Sequence, residues 1–81
     1  MNIIDTIKQI HVGDQWRQVT RVVVDGEERE LVRVIEVTRR PTLSRPVVYR
    51  VVRNDAHPHR VGRTGAIKRS DLRRKYEAVS A

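Results

Sequence analysis

A pair of histidines around a proline is the first feature of this sequence that could bind a metal ion. His57 and His59 flank Pro58 and offer two imidazole nitrogens, which are common metal ligands. The third histidine, His11, is far away in the sequence, the chain has no cysteine, and no cluster of Asp and Glu completes a coordination shell. We therefore expect neither a metal site nor any other cofactor.

Two glycines form the second such feature. Gly62 and Gly65 are three residues apart, and glycines at this spacing let backbone amides approach a phosphate, here beside Arg63. The Gly-Lys-Ser/Thr of a P-loop does not follow at the required spacing. A structural turn is therefore favoured over a nucleotide-binding loop.

Catalytic nucleophiles have little support in the sequence. Ser44, Ser70 and Ser80 have no adjacent histidine in a recognisable arrangement, and there is no cysteine nucleophile. The one acidic cluster, GEERE at residues 26–30, lies beside a predicted hairpin turn rather than among other reactive side chains. We therefore expect that the protein is not an enzyme.

Arginine is the residue type that points most clearly to a binding function. The chain has 14 arginines and 3 lysines among its 81 residues, and its net charge is +7. Residues 1–38 have a net charge of −2, whereas residues 39–75 have a net charge of +10. This asymmetry predicts a surface that attracts polyanions, and the planar guanidinium suits phosphate and carboxylate. The alternatives are a solvated basic surface that keeps a small domain soluble and an arginine bias from a GC-rich genome.

The predicted nucleic-acid-binding residues come from two loops and the C-terminal part of the chain. We expect them to contact the phosphates of DNA or RNA with little sequence specificity, because few aromatic or amide side chains are available to read or stack on bases. These residues are Arg39, Arg40 and Arg45 from the first loop, Arg53, Arg60 and Arg63 from the second, and Lys68, Arg69, Arg73, Arg74 and Lys75 from the C-terminal part.

A small β-sheet is the predicted scaffold for these cations. Residues 31–53 hold two runs rich in Val and Ile, which favour strands at about 29–38 and 46–53. The joining loop carries three arginines, and its prolines, Pro41 and Pro46, have no N–H for a strand ladder. A first strand at about 15–24 precedes Asp25-Gly26, a typical two-residue hairpin turn, and the acidic cluster then begins the second strand or forms the hairpin tip.

The second and third strands have apolar residues on both faces, which a flat sheet with one wet face would not show. This pattern predicts either bent strands shared between two sheets of a small barrel or an interface on the outer face. The two faces carry Leu31, Ile35 and Val37 against Val32 and Val34, and Val47, Tyr49 and Val51 against Val48 and Val52. The lone Trp16 is predicted to anchor the core, and the alternative is a surface platform that stacks on a base.

Helices are predicted at both ends of the chain. Residues 1–10 place four isoleucines on one helical face, which indicates a short amphipathic helix that packs on the sheet or docks on a partner. After a fourth strand at about 66–69, Ser70-Asp71 is a typical N-cap for a one-turn helix at 72–75. Residues 76–79 then form a closing strand, or else the helix continues.

The size of the chain predicts one domain with a thin core, since it has no Phe, one Trp and two Tyr. We expect residues 1–11 to form the N-terminal amphipathic helix and residues 12–81 to form a β-barrel domain. The lack of cysteine fits a reducing compartment, and no apolar run is long enough for a membrane span or a signal peptide. We therefore expect a soluble cytoplasmic protein.

Five short strands, a long basic loop after the second, and a one-turn helix before the last describe an SH3-like small barrel. The segments VGDQW, VVYRVVR and GRTGAIKRSDL, followed by Tyr76, resemble the small SH3-like-barrel proteins encoded by actinobacterial genomes and their bacteriophages. The resemblance covers roughly residues 12–79, and the loops TRRPTLSRP and NDAHPHRVG and the N-terminal helix depart from the usual pattern. It implies a fold and a phage setting, and it implies no established activity.

Two functions from different classes follow from these features. The first is a basic nucleic-acid-binding module, with either DNA or RNA as the partner. The second is a protein-interaction module that binds a host factor or another copy of itself, through the same basic face or the isoleucines of the N-terminal helix. SH3-like barrels serve both roles, so the fold does not decide between them, and the oligomeric state is open.

Overall fold

Five strands and one α-helix make up residues 10–79, the part of the chain that the computed structural model describes. The elements are β1 (Gln15–Val24), β2 (Glu27–Arg39), β3 (Val47–Asn54), β4 (Thr64–Ile67), α1 (Arg69–Lys75) and β5 (Glu77–Ala78), with a 3₁₀ turn at Pro58–Arg60. All neighbouring strands are antiparallel, in the order β4-β3-β2-β1-β5. The prediction of a mainly β fold with about five strands is confirmed in this form, an open antiparallel sheet with one helix.

The hairpin between β1 and β2 follows directly from the local sequence. Asp25 (φ 51°) and Gly26 (φ 79°) both adopt the left-handed conformation that a tight two-residue turn between twisted strands requires. The register runs from Val24 opposite Glu27 to Gln15 opposite Glu36. The predicted hairpin turn is therefore confirmed, and the acidic cluster begins β2.

The second strand is the longest element and shapes the sheet. β2 has 13 residues, and its pairing with β3 shifts register between Val34 and Ile35 and again between Val37 and Arg39. Such irregularities bend a strand and increase its twist. β3 pairs with β2 only from Arg33 onward and β5 pairs with β1 only at Trp16 and Arg17, so residues 18–24 and 27–32 extend as a two-stranded arm.

One face of the sheet carries the hydrophobic core. Trp16 is only 6% exposed, so the prediction that it anchors the core is confirmed and its side chain is not a surface stacking platform. Its indole Nε1 is buried without a hydrogen-bond partner. The core comprises Ile10, Trp16, Ile35, Val37, Val47, Val51, Leu72 and Tyr76, with Tyr49 and Ile67 packed against it.

The other face of β2 and β3 is only half covered. Val32, Val34, Val48 and Val52 are half-buried there, whereas the opposite face supplies the core. The two predicted sets of apolar residues therefore do lie on opposite faces. β4 and β5 form the two edges of the sheet, and within residues 10–79 these edges do not pair with each other.

The C-terminal elements differ from their predicted bounds. β4 spans Thr64–Ile67 instead of 66–69, and α1 begins at Arg69 instead of residue 72. Ser70 and Asp71 therefore lie inside the first turn, and the N-cap is Lys68, which makes no side-chain cap. The prediction of a Ser70-Asp71 cap is wrong because the carboxylate of Asp71 instead accepts a 2.8 Å hydrogen bond from Arg74.

The chain becomes extended again directly after α1. The Tyr76 amide donates to Leu72 O at 2.9 Å and closes the last turn, and Tyr76 itself has extended dihedral angles, φ −125° and ψ 159°. β5 follows, and the Val79 amide donates to Gln15 O at 3.0 Å. The alternative of a longer C-terminal helix is therefore wrong, and the predicted closing strand is present.

The predicted N-terminal helix covers residues 1–11, and residues 1–9 of it lie outside the described residues. Ile10, the last of its four isoleucines, is 2% exposed and belongs to the core of the sheet. Asp14 then accepts a 2.8 Å hydrogen bond from the His11 amide, and the Gly13 amide donates to Val37 O at 2.8 Å. Packing on the sheet therefore begins before Val12, the predicted start of the domain.

Candidate nucleic-acid interface

Because neighbouring strands are antiparallel, the two loops that carry predicted cations lie at opposite ends of the sheet. β2 ends where β3 begins, and Val47 at that point pairs with Ile67 at the end of β4, next to α1. We call this the basic end, and it holds Arg39, Arg40, Arg45, Lys68 and Arg69. The loop after β3 lies at the opposite end of the sheet, together with Arg53, Arg60 and Arg63.

An open cleft of about 450 Å³ lies at the basic end. The β2–β3 loop, residues 41–46, forms one side, and residues 68–70 form the other. The loop is short and closed, because the Thr42 amide donates to Arg45 O at 3.1 Å and prolines stand at both of its ends. We call this site the basic cleft, and it brings Arg45, Lys68 and Arg69 together.

The five cations of the basic end have no acidic partners among residues 10–79. Arg39, Arg40, Arg45, Lys68 and Arg69 form no salt bridge with any carboxylate in the described part of the chain. All are exposed except Arg69, which is half-buried beside the cleft. Unpaired guanidinium and ammonium groups on a concave surface attract phosphate groups.

The cleft also offers uncharged contacts. The hydroxyls of Thr42, Ser44 and Ser70 line it, and hydroxyl groups commonly bind phosphate oxygens in nucleic-acid complexes. Leu43 is 98% exposed at the apex of the loop. These four side chains were not predicted from the sequence to bind a ligand. The run Thr42-Leu43-Ser44 between two prolines could have identified three of them, whereas Ser70 lies outside that run.

Arg53 differs from the cations of the basic end because its charge is already matched. Its Nε and Nη2 donate to the two carboxylate oxygens of Asp55 at 2.9 and 3.1 Å. This bidentate contact raises the pKa of Arg53, chiefly through the hydrogen bonds and then through the charge of Asp55. Arg53 is therefore less available to an external phosphate than Arg45.

The same contact lowers the pKa of Asp55. Hydrogen bonding to Arg53 is the main cause, and the Val32 amide, which donates to Asp55 Oδ2 at 2.9 Å, is the second. The Asp55 amide in turn donates to Val32 O at 3.0 Å. Asp55 therefore fastens the loop after β3 to the neighbouring strand.

The glycines that follow serve the backbone. The Gly62 amide donates to Val51 O at 2.8 Å and the Arg63 amide donates to Arg60 O at 3.1 Å, so these two donors are already used. Gly65 lies under the ring of Tyr49, because a Cβ at this position would stand 2.6 Å from the phenol oxygen. This geometry supports the turn interpretation and leaves no cradle of free amides at Gly62 and Arg63.

The remaining predicted cations lie on α1. Arg74 pairs with Asp71 at 2.8 Å, Arg73 is half-buried, and Lys75 is exposed in the last turn. They follow Arg69 along the same helix and are not part of the basic cleft. The eleven predicted residues therefore form three separate groups.

The histidine pair has a simple geometry. The His57 and His59 rings meet edge to face with centroids 5.8 Å apart. Within residues 10–79, no three side chains of the His, Cys, Asp and Glu types gather as a metal ion would need. In the same range, no helix has the length and apolar character of a membrane span.

Comparisons with known proteins do not supply a family or a function. The chain matches no protein-family model, no curated protein and no solved structure.

Proposed function

We propose that this protein is a small nucleic-acid-binding module that holds phosphates at its basic end. The observation that carries the proposal is the basic cleft, which brings together Arg45 on one side and Lys68 and Arg69 on the other. None of these three cations has an acidic partner in the described part of the chain. Arg39 and Arg40 add to this charge at the end of β2. Backbone phosphate contacts of this kind give affinity for DNA or RNA without sequence information.

The position of the aromatic residues supports low sequence specificity. Trp16 and Tyr76 are buried, and Tyr49 is half-buried over Gly65, so none of the three offers a ring face at the basic cleft. Stacking on aromatic side chains is the usual way to hold single-stranded bases. Binding through the basic end is therefore electrostatic, with Leu43 as the one large apolar group beside it.

The finer fold that we propose is an SH3-like small barrel. The strand order, the irregular pairing that bends β2, and the helix before the last strand support it, because a bent strand lets one sheet turn over its own core. The resemblance to proteins of actinobacterial genomes and their bacteriophages adds a bacterial or phage setting and a cytoplasmic location to the proposal.

Salt-dependent titration tests the proposed function. The whole chain is titrated against duplex DNA, single-stranded DNA and RNA between about 50 and 200 mM salt. If five phosphates are neutralised, the logarithm of the affinity for duplex DNA falls with the logarithm of salt at a slope of about −4.5. A slope near zero for all three nucleic acids would contradict the proposal.

Paired variants test the assigned surface. Arg45→Gln with Lys68→Gln removes two exposed cations from the basic cleft, so the slope should become less steep by about 1.8. Arg21→Gln with Arg29→Gln is the matched control, since it removes two exposed arginines on the arm outside the cleft. Equal losses in both proteins would show that total charge matters and that the basic cleft does not.

A protein-interaction role is the second candidate, and exposed valines on the arm favour it. Val19, Val23 and Val24 are 44%, 72% and 40% exposed. We propose that, in this case, the arm binds a host protein or a second copy of the chain. Light scattering that shows a monomer at high concentration would count against self-association. If the Arg45 and Lys68 variant loses nucleic-acid binding but still binds the protein partner, the two roles use different surfaces.

A further inference from the structure

A second cleft lies at the base of the arm, at the other end of the sheet from the basic cleft. It has a volume of about 180 Å³ and lies between the core-facing side of β1 and β2 and the loop after β3. We call it the arm-base cleft. Its polar lining comes from Gln18, Thr20, Arg33, Asn54, His57 and Arg60.

Arg33 is the unusual residue of this cleft. It occupies a core-facing position of β2, where Leu31, Ile35 and Val37 are the neighbours on the same face. The residue is half-buried, and its Nε is enclosed without a hydrogen-bond partner. A donor left unsatisfied in this way carries a desolvation cost, and the cost is larger for a charged group.

The charge of Arg33 also lacks an acidic partner within the described residues. Its guanidinium lies 5.8 Å from the centre of the Tyr49 ring, and Nη2 donates to the Tyr49 hydroxyl at 3.4 Å. By contrast, six more exposed arginines on the sheet, its loops and the helix pair with carboxylates. These are Arg17, Arg21, Arg29, Arg50, Arg53 and Arg74.

Two further donors approach the same space from the loop. Arg60 and His57 line the cleft, and both belong to the segment around the 3₁₀ turn. Asn54, which is 8% exposed, holds this segment in place because its Oδ1 accepts a 2.8 Å hydrogen bond from the His57 amide. An arginine of β2 and an arginine and a histidine of the loop after β3 therefore line one small polar cleft.

We propose that the arm-base cleft binds a small anionic group, a phosphate or a carboxylate, between Arg33 and Arg60. Charge-assisted hydrogen bonds from guanidinium groups suit both anions, and the hydroxyl of Thr20 adds a neutral donor. The volume is below the roughly 300 Å³ of drug-sized ligand pockets, so the ligand is a small anion or a single anionic group of a larger molecule. This site is separate from the basic cleft and does not depend on nucleic-acid binding.

Nitrogen–proton correlation NMR on the whole chain tests the site. Inorganic phosphate and acetate are added separately at constant ionic strength, with chloride as the balancing anion. We expect saturable shifts of the Arg33 Nε–H signal and of the Thr20 and His57 amides. Saturation by phosphate alone identifies a phosphate site, and saturation by acetate identifies a carboxylate site. Shifts that never saturate, or that chloride reproduces, would overturn the proposal.

Variants locate the binding group. Arg33→Gln and Arg60→Gln should each weaken anion binding about tenfold or more, whereas Arg29→Gln, on the same strand and the same face but outside the cleft, should leave it unchanged. Arg60 lies on an exposed turn, so its variant decides the question if Arg33→Gln does not fold. Wild-type anion affinity in Arg60→Gln would refute the site.

Nucleic-acid titrations of the same variants separate this proposal from the previous one. Arg60→Gln should retain the wild-type salt slope because the basic cleft is at the other end of the sheet. Loss of anion binding with normal nucleic-acid binding supports the arm-base site alone. If Arg60→Gln loses as much nucleic-acid affinity per removed charge as the Arg45 and Lys68 variant, the two clefts form one continuous phosphate-binding surface, which would overturn the separate site.

Discussion

Arginine side chains in this protein serve different purposes according to their immediate partners. Arg53 is held by both oxygens of Asp55, whereas Arg45 lines an open cleft and forms no salt bridge within residues 10–79. Arg33 lies between these cases, since it is half-buried and contacts the phenol and ring of Tyr49 instead of a carboxylate of the described residues. Residue type alone therefore does not identify the arginines that can bind an external anion.

Gly65→Ala should destabilise the protein by about 1–3 kcal/mol, the usual cost of overpacking a well-filled site. The added methyl group would stand 2.6 Å from the Tyr49 oxygen and 2.7 Å from the ring carbon that carries it, so the ring must move. Urea denaturation measures the change. In a Tyr49→Ala background, Gly65→Ala should destabilise the protein much less, because the ring that clashes with the methyl group is absent. An equal destabilisation in both backgrounds would contradict the contact.

Asp55→Asn should lower stability at neutral pH and have little effect in strong acid. The folded pKa of Asp55 lies below its ordinary value, so its contribution is present above about pH 4 and is lost as the pH falls through the folded pKa. Thermal unfolding of both proteins across the acid range measures this. Equal melting temperatures at neutral pH, or a difference that persists in strong acid, would contradict the assigned role.

Tyr76 should titrate above the usual pKa of a tyrosine, because burial disfavours the phenolate. Stability from this group is present below about pH 10 and is lost as the pH rises through the folded pKa. The positive charge of Arg33 opposes the rise, so Arg33→Gln should raise the pKa of Tyr76 further. NMR of the Tyr76 ring against pH measures both values, and a lower pKa in Arg33→Gln would contradict this arrangement.

At the scale of single elements, the helix α1 depends on the hydrophobic core for its stability. α1 contributes a single buried side chain, Leu72, which is completely enclosed. Within residues 10–79, this helix has no side-chain N-cap and only seven residues, so its own hydrogen bonds do not make it stable in isolation. Packing of Leu72 therefore holds α1 and, with it, one side of the basic cleft.

Leu72→Ala should destabilise the protein by about 2–5 kcal/mol, because it removes a fully buried side chain and leaves a cavity. It should also weaken nucleic-acid binding at the basic end, since Lys68 and Arg69 stand at the start of α1. Denaturation and the salt titration measure the two effects. The exposed Val79→Ala is the control, and equal losses from both changes would contradict the role of Leu72.

The first three strands could be predicted from sequence because each has a local cause. Runs of β-branched residues favour strands and Asp25-Gly26 favours a tight turn through interactions within a few residues, and the structure contains both the strands and the turn. The start of α1 could not be located in this way, because Asp71 had an alternative partner in Arg74. Likewise, the cations were predicted to form one surface, but Arg60 lies at the other end of the sheet from the basic end. Their separation depends on how the strands pair across the whole sheet, which local sequence does not determine.

At the scale of the whole molecule, the acidic cluster and the basic end lie far apart. The basic end lies where β2 finishes, and the acidic cluster lies where β2 starts, beside the tip of the arm. Thirteen strand residues span roughly 40 Å at about 3.3 Å each, and the described fold is 45 Å long. The carboxylates therefore stand far from a phosphate bound at the basic cleft.

Glu27→Gln with Glu28→Gln should leave nucleic-acid affinity nearly unchanged at physiological salt. The screening length there is about 8 Å, which is much shorter than the distance to the basic cleft. Near 10 mM salt, where the screening length is about 30 Å, the variant should bind more tightly than the wild type. A clear gain in affinity at physiological salt would show that the arm lies close to the bound nucleic acid.

The arm has a consequence for how the protein behaves at high concentration. Within residues 10–79, no further strand pairs with the outer edges of the arm, and the run Val22-Val23-Val24 has the high β-propensity that favours edge-to-edge pairing. Arg21 and the glutamates opposite it act as gatekeepers of this run. The positive net charge is larger at lower pH, so repulsion between molecules grows there. The tendency to form fibrils is therefore greatest near pH 11, where the net charge is close to zero.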